Sequence, residues 1–270
     1  MQDYTGYDHM LVERGDRGLL TITLNRPDSL NAVSYDFHLQ IEDLFHRIST
    51  DTSVAAVLIA GTGRAFCAGA DMKELDQESS EGDDPVARTQ QWMSATRRLA
   101  WNMLDIEQPI IAAVQGYALG FGATLALFSD VVVAAEDAVF ADNHVTAGLV
   151  AGDGGTVIWP LLLPFGIAKY YLLTGERITG AEAARLGMIF KAVPADKLLD
   201  EAHAVAERLA KGAPIAVKGT KRAINKLLRE QLELVLDMAL TLEGNSTLTR
   251  DHQEAARAFV EKREPIFEGR

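Results

Sequence analysis

The chain has 270 residues, enough to bury one large core, and a formal net charge of −12, so its surface as a whole repels nucleic acid and anionic lipid. Its one cysteine, Cys67, excludes an intrachain disulfide framework and fits a reducing compartment. No apolar run approaches the ~20 residues needed to cross a bilayer, and the first residues, Met1 to His9, show no basic or apolar leader pattern, so a soluble cytoplasmic protein is expected.

In chain order, residues 19–24, 54–60, 110–114 and 131–135 are short apolar runs bounded by Gly, Pro, Asn or Asp, and they predict buried strands. Between the first two, Phe37, Ile41, Leu44, Phe45 and Ile48 recur at helical spacing, with Ser34 placed as the cap. Trp92, Thr96, Leu99, Met103 and Leu104 predict a second helix between the next pair. The acidic segment 76–85 has no large apolar residue and reads as a mobile surface loop able to gate a neighbouring site. After residue 155 strand signals nearly stop. Helical spacing returns at 183–186 behind a capping box at Thr179 and Glu182, then at 202–209, 215–228 and 232–242, and at 255–262 behind a similar pattern at Asp251 and Glu254. Strand–helix alternation followed by helices predicts an α/β core with largely parallel pairing and a C-terminal helical layer.

Three places carry candidate chemistry. Ala65-Phe-Cys-Ala-Gly-Ala-Asp71 follows the second strand, with Asp71 able to cap a helix starting at Met72; Gln115-Gly-Tyr-Ala-Leu-Gly120-Phe-Gly122 follows the third. Turns of small residues expose backbone N–H groups that can hold an anion or a developing oxyanion, although each can equally be a packing device. In the stretch from Phe140 to Gly155, His144 and Asp153 stand nine positions apart among small residues. They read either as a proton-transfer dyad or as a histidine bonded to a backbone carbonyl beside a helix-capping aspartate. No dinucleotide fingerprint, phosphate loop or Gly-x-Ser-x-Gly elbow occurs, and no His or Cys spacing indicates a metal. Cys67 reads as a small buried residue rather than a nucleophile.

Taken together, Asn25-Arg26-Pro27, Leu30-Asn31-Ala32, Phe66-Cys-Ala-Gly-Ala-Asp71, Pro109 to Gly120, Ser129-Asp130, Leu173-Thr-Gly175 and Ala258-Phe-Val-Glu-Lys-Arg263 resemble, in order and over nearly the whole chain, the crotonase superfamily of enoyl-CoA hydratases and isomerases. The resemblance implies a crotonase-like spiral of repeated ββα units over residues 1–200 and a C-terminal helical trimerisation region over 201–270, assembled as a homotrimer or hexamer. It implies an acyl-CoA substrate and no permanently bound cofactor, coenzyme A being part of the thioester. Its carbonyl oxygen would meet the backbone N–H groups of Ala70 and Phe121. Arg26, Ala68 and Asp71 would line the coenzyme A site, joined by Phe259 and Lys262 of a neighbouring subunit, although Lys262 is equally well read as a solvated charge.

Departures from the family pattern are informative. Typical hydratases carry glutamates where this chain has Thr124 and His144, and a threonine cannot act as a carboxylate base. His144, Asp153 and the following Trp159-Pro160 resemble instead a branch that includes 6-oxocamphor hydrolase, which hydrolyses a C–C bond of cyclic β-diketones. The favoured expectation is hydration or isomerisation of an acyl-CoA by a His144–Asp153 dyad, as in fatty acid metabolism. Retro-Claisen hydrolysis of a β-diketone is the alternative, and a non-catalytic coenzyme A- or RNA-binding protein is the alternative from another class.

Overall fold

Apolar runs too short for helices pair side by side into the sheet on which this fold is built. The computed structural model describes residues 2–71 and 84–270. Strand β1 (Met10–Arg14) pairs antiparallel with β2 (Leu19–Leu24), and helix α1 (Tyr35–Thr50) follows, with Ser34 accepting from the Phe37 N–H at its start. Then come β3 (Ala56–Gly61), α2 (Pro85–Asp105), β4 (Ile110–Val114), β5 (Tyr117–Leu119), α3 (Phe121–Leu127), β6 (Val131–Ala135) and β7 (Val139–Ala141). A 3-10 turn at His144–Ala147 leads into α4 (Gly155–Leu162), α5 (Phe165–Thr174), β8 (Ile178–Thr179), α6 (Gly180–Arg185) and β9 (Lys191–Val193). Helices α7 (Leu198–Ala210), α8 (Pro214–Thr247) and α9 (Arg250–Glu261) complete the chain.

The main sheet runs β1-β2-β3-β4-β6-β9 and is parallel beyond the first pair; a smaller sheet runs β5-β7-β8. After β4, and again after β6, the chain turns from the first sheet into the second and then into a helix or helical turn, which is the repeated ββα unit. All five residues of β4 are buried, as a parallel strand covered on both faces must be. The core is continuous from Tyr4 to Leu240 and includes Leu232 and Leu236 of α8.

Three expectations change, and one lies mostly outside the described residues. Strands β1, β5, β7, β8 and β9 did not stand out, because two to five residues give too little pattern to separate a strand from a loop. The separate helical segments 215–228 and 232–242 are one 34-residue helix, since Arg229, Glu230 and Gln231 between them are helix formers. The cap of α9 is Thr249, which accepts from the His252 N–H; Asp251 lies inside the first turn and accepts instead from the Glu268 and Gly269 N–H groups. The expected loop at 76–85 and a helix start at Met72 fall mostly outside the described residues, apart from Asp84, whose side chain caps α2 through the Val86 N–H.

Candidate active site

The two glycine turns are laced together by their backbones. The Phe66 N–H donates to the Gln115 carbonyl, Cys67 N–H to Tyr117, and Leu119 N–H back to Cys67. The approach is close enough to require Gly122: a Cβ there would lie 2.2 Å from the Cys67 carbonyl oxygen. Around Ala70 the flanking groups are used, because Val33 N–H donates to Gly69 and Asp71 N–H donates to Val33. Beside Phe121, Gly120 N–H donates to Ala141. The N–H groups of Ala70 and Phe121 have no protein acceptor among the described residues, and both residues line a single cavity of about 1450 Å³.

The same cavity holds His144. Its Nδ1 is 2.6 Å from Asp142 Oδ1, a residue that β7 delivers one step past its end. On the other side of the ring, Nε2 is 3.5 Å from Asp153 Oδ2 and 3.8 Å from Glu243 Oε1. Asp153 stands just before α4 and accepts from the Thr124 hydroxyl at 3.0 Å and from the Gly155 N–H. Glu243 comes from the distant helix α8, and it fits because residue 152 is glycine: a Cβ there would lie 2.6 Å from Glu243 Oε2. One imidazole therefore faces three carboxylates, all four side chains being largely withdrawn from solvent.

Charge on side chains so largely buried is shared out rather than fully expressed. Burial would lower the His144 pKa, but Asp153, Asp142 and Glu243 outweigh it and hold the ring well above its ordinary value. Burial raises Asp153, against the pull of His144. Burial also pushes Glu243 up to about 8, against the pull of His144. Asp153 Oδ2 and Glu243 Oε2 are buried without a hydrogen-bond partner, as is Asp142 Oδ2. Asp142, His144 and Asp153 offer atoms within 4.8 Å of one another, the usual requirement for a cation. Because the two aspartates face opposite ring nitrogens, the set suits orienting and charging an imidazole better than enclosing a metal.

Of the residues singled out in the sequence, His144, Asp153, Ala68, Ala70, Asp71, Phe121 and Phe259 line this cavity. Phe259 does so from α9 of the same chain, not only as a candidate for a neighbour's site. Lys262 ends α9 and does not line the cavity, and neither does Arg26. The Arg26 guanidinium is ion-paired with Asp71 at 3.1 Å and also donates to the Ala32 carbonyl. Cys67 is buried and its thiol is pushed up to about 12 by burial, so it is no nucleophile. Asp142, Glu243 and His38 were missed. Asp142, two residues before His144, was visible as a neighbouring carboxylate; Glu243 carries no sequence signal, since only packing of α8 brings it near.

A family model described as enoyl-CoA hydratase/isomerase matches residues 14–270. The chain is 36% identical over 265 residues to a 2,3-dehydroadipyl-CoA hydratase of Escherichia coli strain K12, covering 97% of this chain and 99% of that one. It resembles the crystal structure of an enoyl-CoA hydratase/isomerase from Mycobacterium paratuberculosis, with 38% identity, 92% and 97% of the two chains covered, and a TM-score of 0.85. A β-diketone hydrolase from the cyanobacterium Anabaena, bound to (S)-3-oxocyclohexyl acetic acid, matches with 30% identity, 91% and 97% coverage, and a TM-score of 0.80.

Proposed function

The chain belongs to the enoyl-CoA hydratase/isomerase family and is an enzyme of that family, and from this premise we propose that it acts on an acyl-CoA thioester through an enolate. The observation that carries the reading is the pair of unclaimed N–H groups, Ala70 and Phe121, lining the cavity that also holds His144. In this reading they donate to the thioester oxygen as negative charge develops there, each contributing a few kcal/mol to transition-state stabilisation. His144 moves the proton through Nε2, while Asp142 fixes the ring through Nδ1. Asp153 Oδ2 and Glu243 Oε1 face a water or hydroxyl beside that nitrogen, and Thr124 orients Asp153 rather than acting as a base. Ala68, Asp71 and Phe259 form coenzyme A-facing wall, with Arg26 holding Asp71 in place; Lys262 of a neighbouring subunit is assigned to the same ligand.

C–C hydrolysis of a β-diketone is the second reading. It is supported by Asp153 Oδ2 and Glu243 Oε1 standing 3.5 and 3.8 Å from Nε2, a spacing that suits a water nucleophile, and by the likeness to the cyanobacterial hydrolase. Purified protein incubated with crotonyl-CoA, a longer enoyl-CoA and a cyclic β-diketone, each followed by mass spectrometry, separates the two. Gain of water on a thioester is expected; a ring-opened keto acid with inert thioesters would establish the second reading instead.

A further inference from the structure

His38 lies on α1 between core residues Phe37 and Ile41 and is 1% exposed. Both of its ring nitrogens are buried, and neither has a hydrogen-bond partner among the described residues. The residue nonetheless forms part of the cavity wall, with the rings of Trp92 and Phe121 packed against it at 5.6 and 5.2 Å. Burial, and then the charge of Arg98, hold its pKa down to about 4, so near neutrality it offers one N–H donor and one lone pair. A buried polar group left unpaired costs stability, and contact with an aromatic ring recovers only part of it. An apolar side chain of similar size would fill this space without that cost. What a histidine adds here is hydrogen-bonding capacity within the cavity wall.

Resting on the thioester reading above, we propose that His38 is a hydrogen-bonding subsite for a second oxygen on the acyl group, a carbonyl or hydroxyl carried beyond the thioester and lodged against the wall made by Trp92 and Phe121. The preferred substrates are then oxygenated acyl-CoA thioesters, not plain hydrocarbon ones. His38 determines specificity, while His144 moves the proton.

Calorimetry with three saturated, unreactive thioesters tests this: hexanoyl-CoA, 5-oxohexanoyl-CoA and 6-hydroxyhexanoyl-CoA. The wild-type protein should bind at least one oxygenated thioester about tenfold more tightly than hexanoyl-CoA, the scale of one well-made hydrogen bond. His38→Phe should bring that ratio to about one, and His38→Gln should keep part of it. Because a buried substitution can impair folding, ¹⁵N chemical shifts of His38 in the wild-type protein provide a second readout, expected to move with the oxygenated ligand and not with hexanoyl-CoA. Binding of all three thioesters without preference, or a preference that survives in folded His38→Phe, would overturn the subsite alone. Failure of every thioester to bind at millimolar concentration would overturn the thioester reading and the subsite with it.

Discussion

His144 owes its chemistry to carboxylates on both sides of its ring, and they do different things. Asp142 at 2.6 Å from Nδ1 sets the ring's orientation, whereas Asp153 and Glu243 stand off Nε2 with room for a reacting group. If the imidazole carries the proton, His144→Ala should lower kcat about 10²-fold or more in a protein that still folds, while Asp153→Asn should lower it less. Steady-state rates alongside circular dichroism check this, and a folded His144→Ala protein with wild-type rates would refute the assignment. Glu243 makes a separate prediction about stability. Its folded pKa of about 8 lies above the ordinary value of 4.5, so its contribution is fully present below pH 4.5 and is lost as pH rises through about 8. Glu243→Gln removes this loss, so its melting temperature should rise relative to wild type between pH 5 and pH 9. A difference that stays flat with pH would show that the carboxyl titrates normally.

At the scale of elements, the site depends on how closely two strand-to-helix turns can approach. Gly122→Ala would put a methyl group into the Cys67 carbonyl, so the turns must separate, at a cost of about 1–3 kcal/mol. Because the shift falls between Ala70 and Phe121, kcat/KM should fall by more than the loss of folded protein explains. Denaturant unfolding and rates on the same preparation give the comparison; activity per folded molecule equal to wild type would show that the spacing of the turns is not critical. Helix α9 depends on its Thr249 cap, and Thr249→Ala should cost about 1 kcal/mol.

Over the whole molecule, α8 divides its apolar residues between two faces. Leu232 and Leu236 are in the core, but Ile224, Leu227, Leu234 and Met238 are exposed along a stripe at helical spacing, Leu234 to 74%. Met238 and Leu242 are likewise exposed in the single chain, so if the trimer or hexamer expected from the sequence forms, this stripe is its candidate contact face. Leu227→Glu with Leu234→Glu should then yield monomers by light scattering, whereas an unchanged mass would place the interface elsewhere. Arg64, Arg88, Arg177 and Arg257 are among the residues lining the cavity, beside Asp28, Asp71 and Glu261, and are the cationic side chains that phosphates would meet there. Acetoacetyl-CoA binding should accordingly weaken as salt rises, and calorimetric affinities independent of salt would exclude a phosphate role for these arginines.

From the linear chain alone come the four long buried strands, the Ser34 and Thr179 caps, both glycine turns and the pairing of His144 with Asp153, because each is written in residues close together or in a short period. The family's ordered motifs extend that reading to the spiral fold. Asp142's hold on Nδ1, the arrival of Glu243 from 90 or more residues away, the unpaired imidazole of His38 and the outward stripe on α8 were decided only by tertiary structure. Packing determines which face of a helix is buried and which charges share one cavity, and the resulting desolvation gives these residues pKa values that they would not have in an open chain.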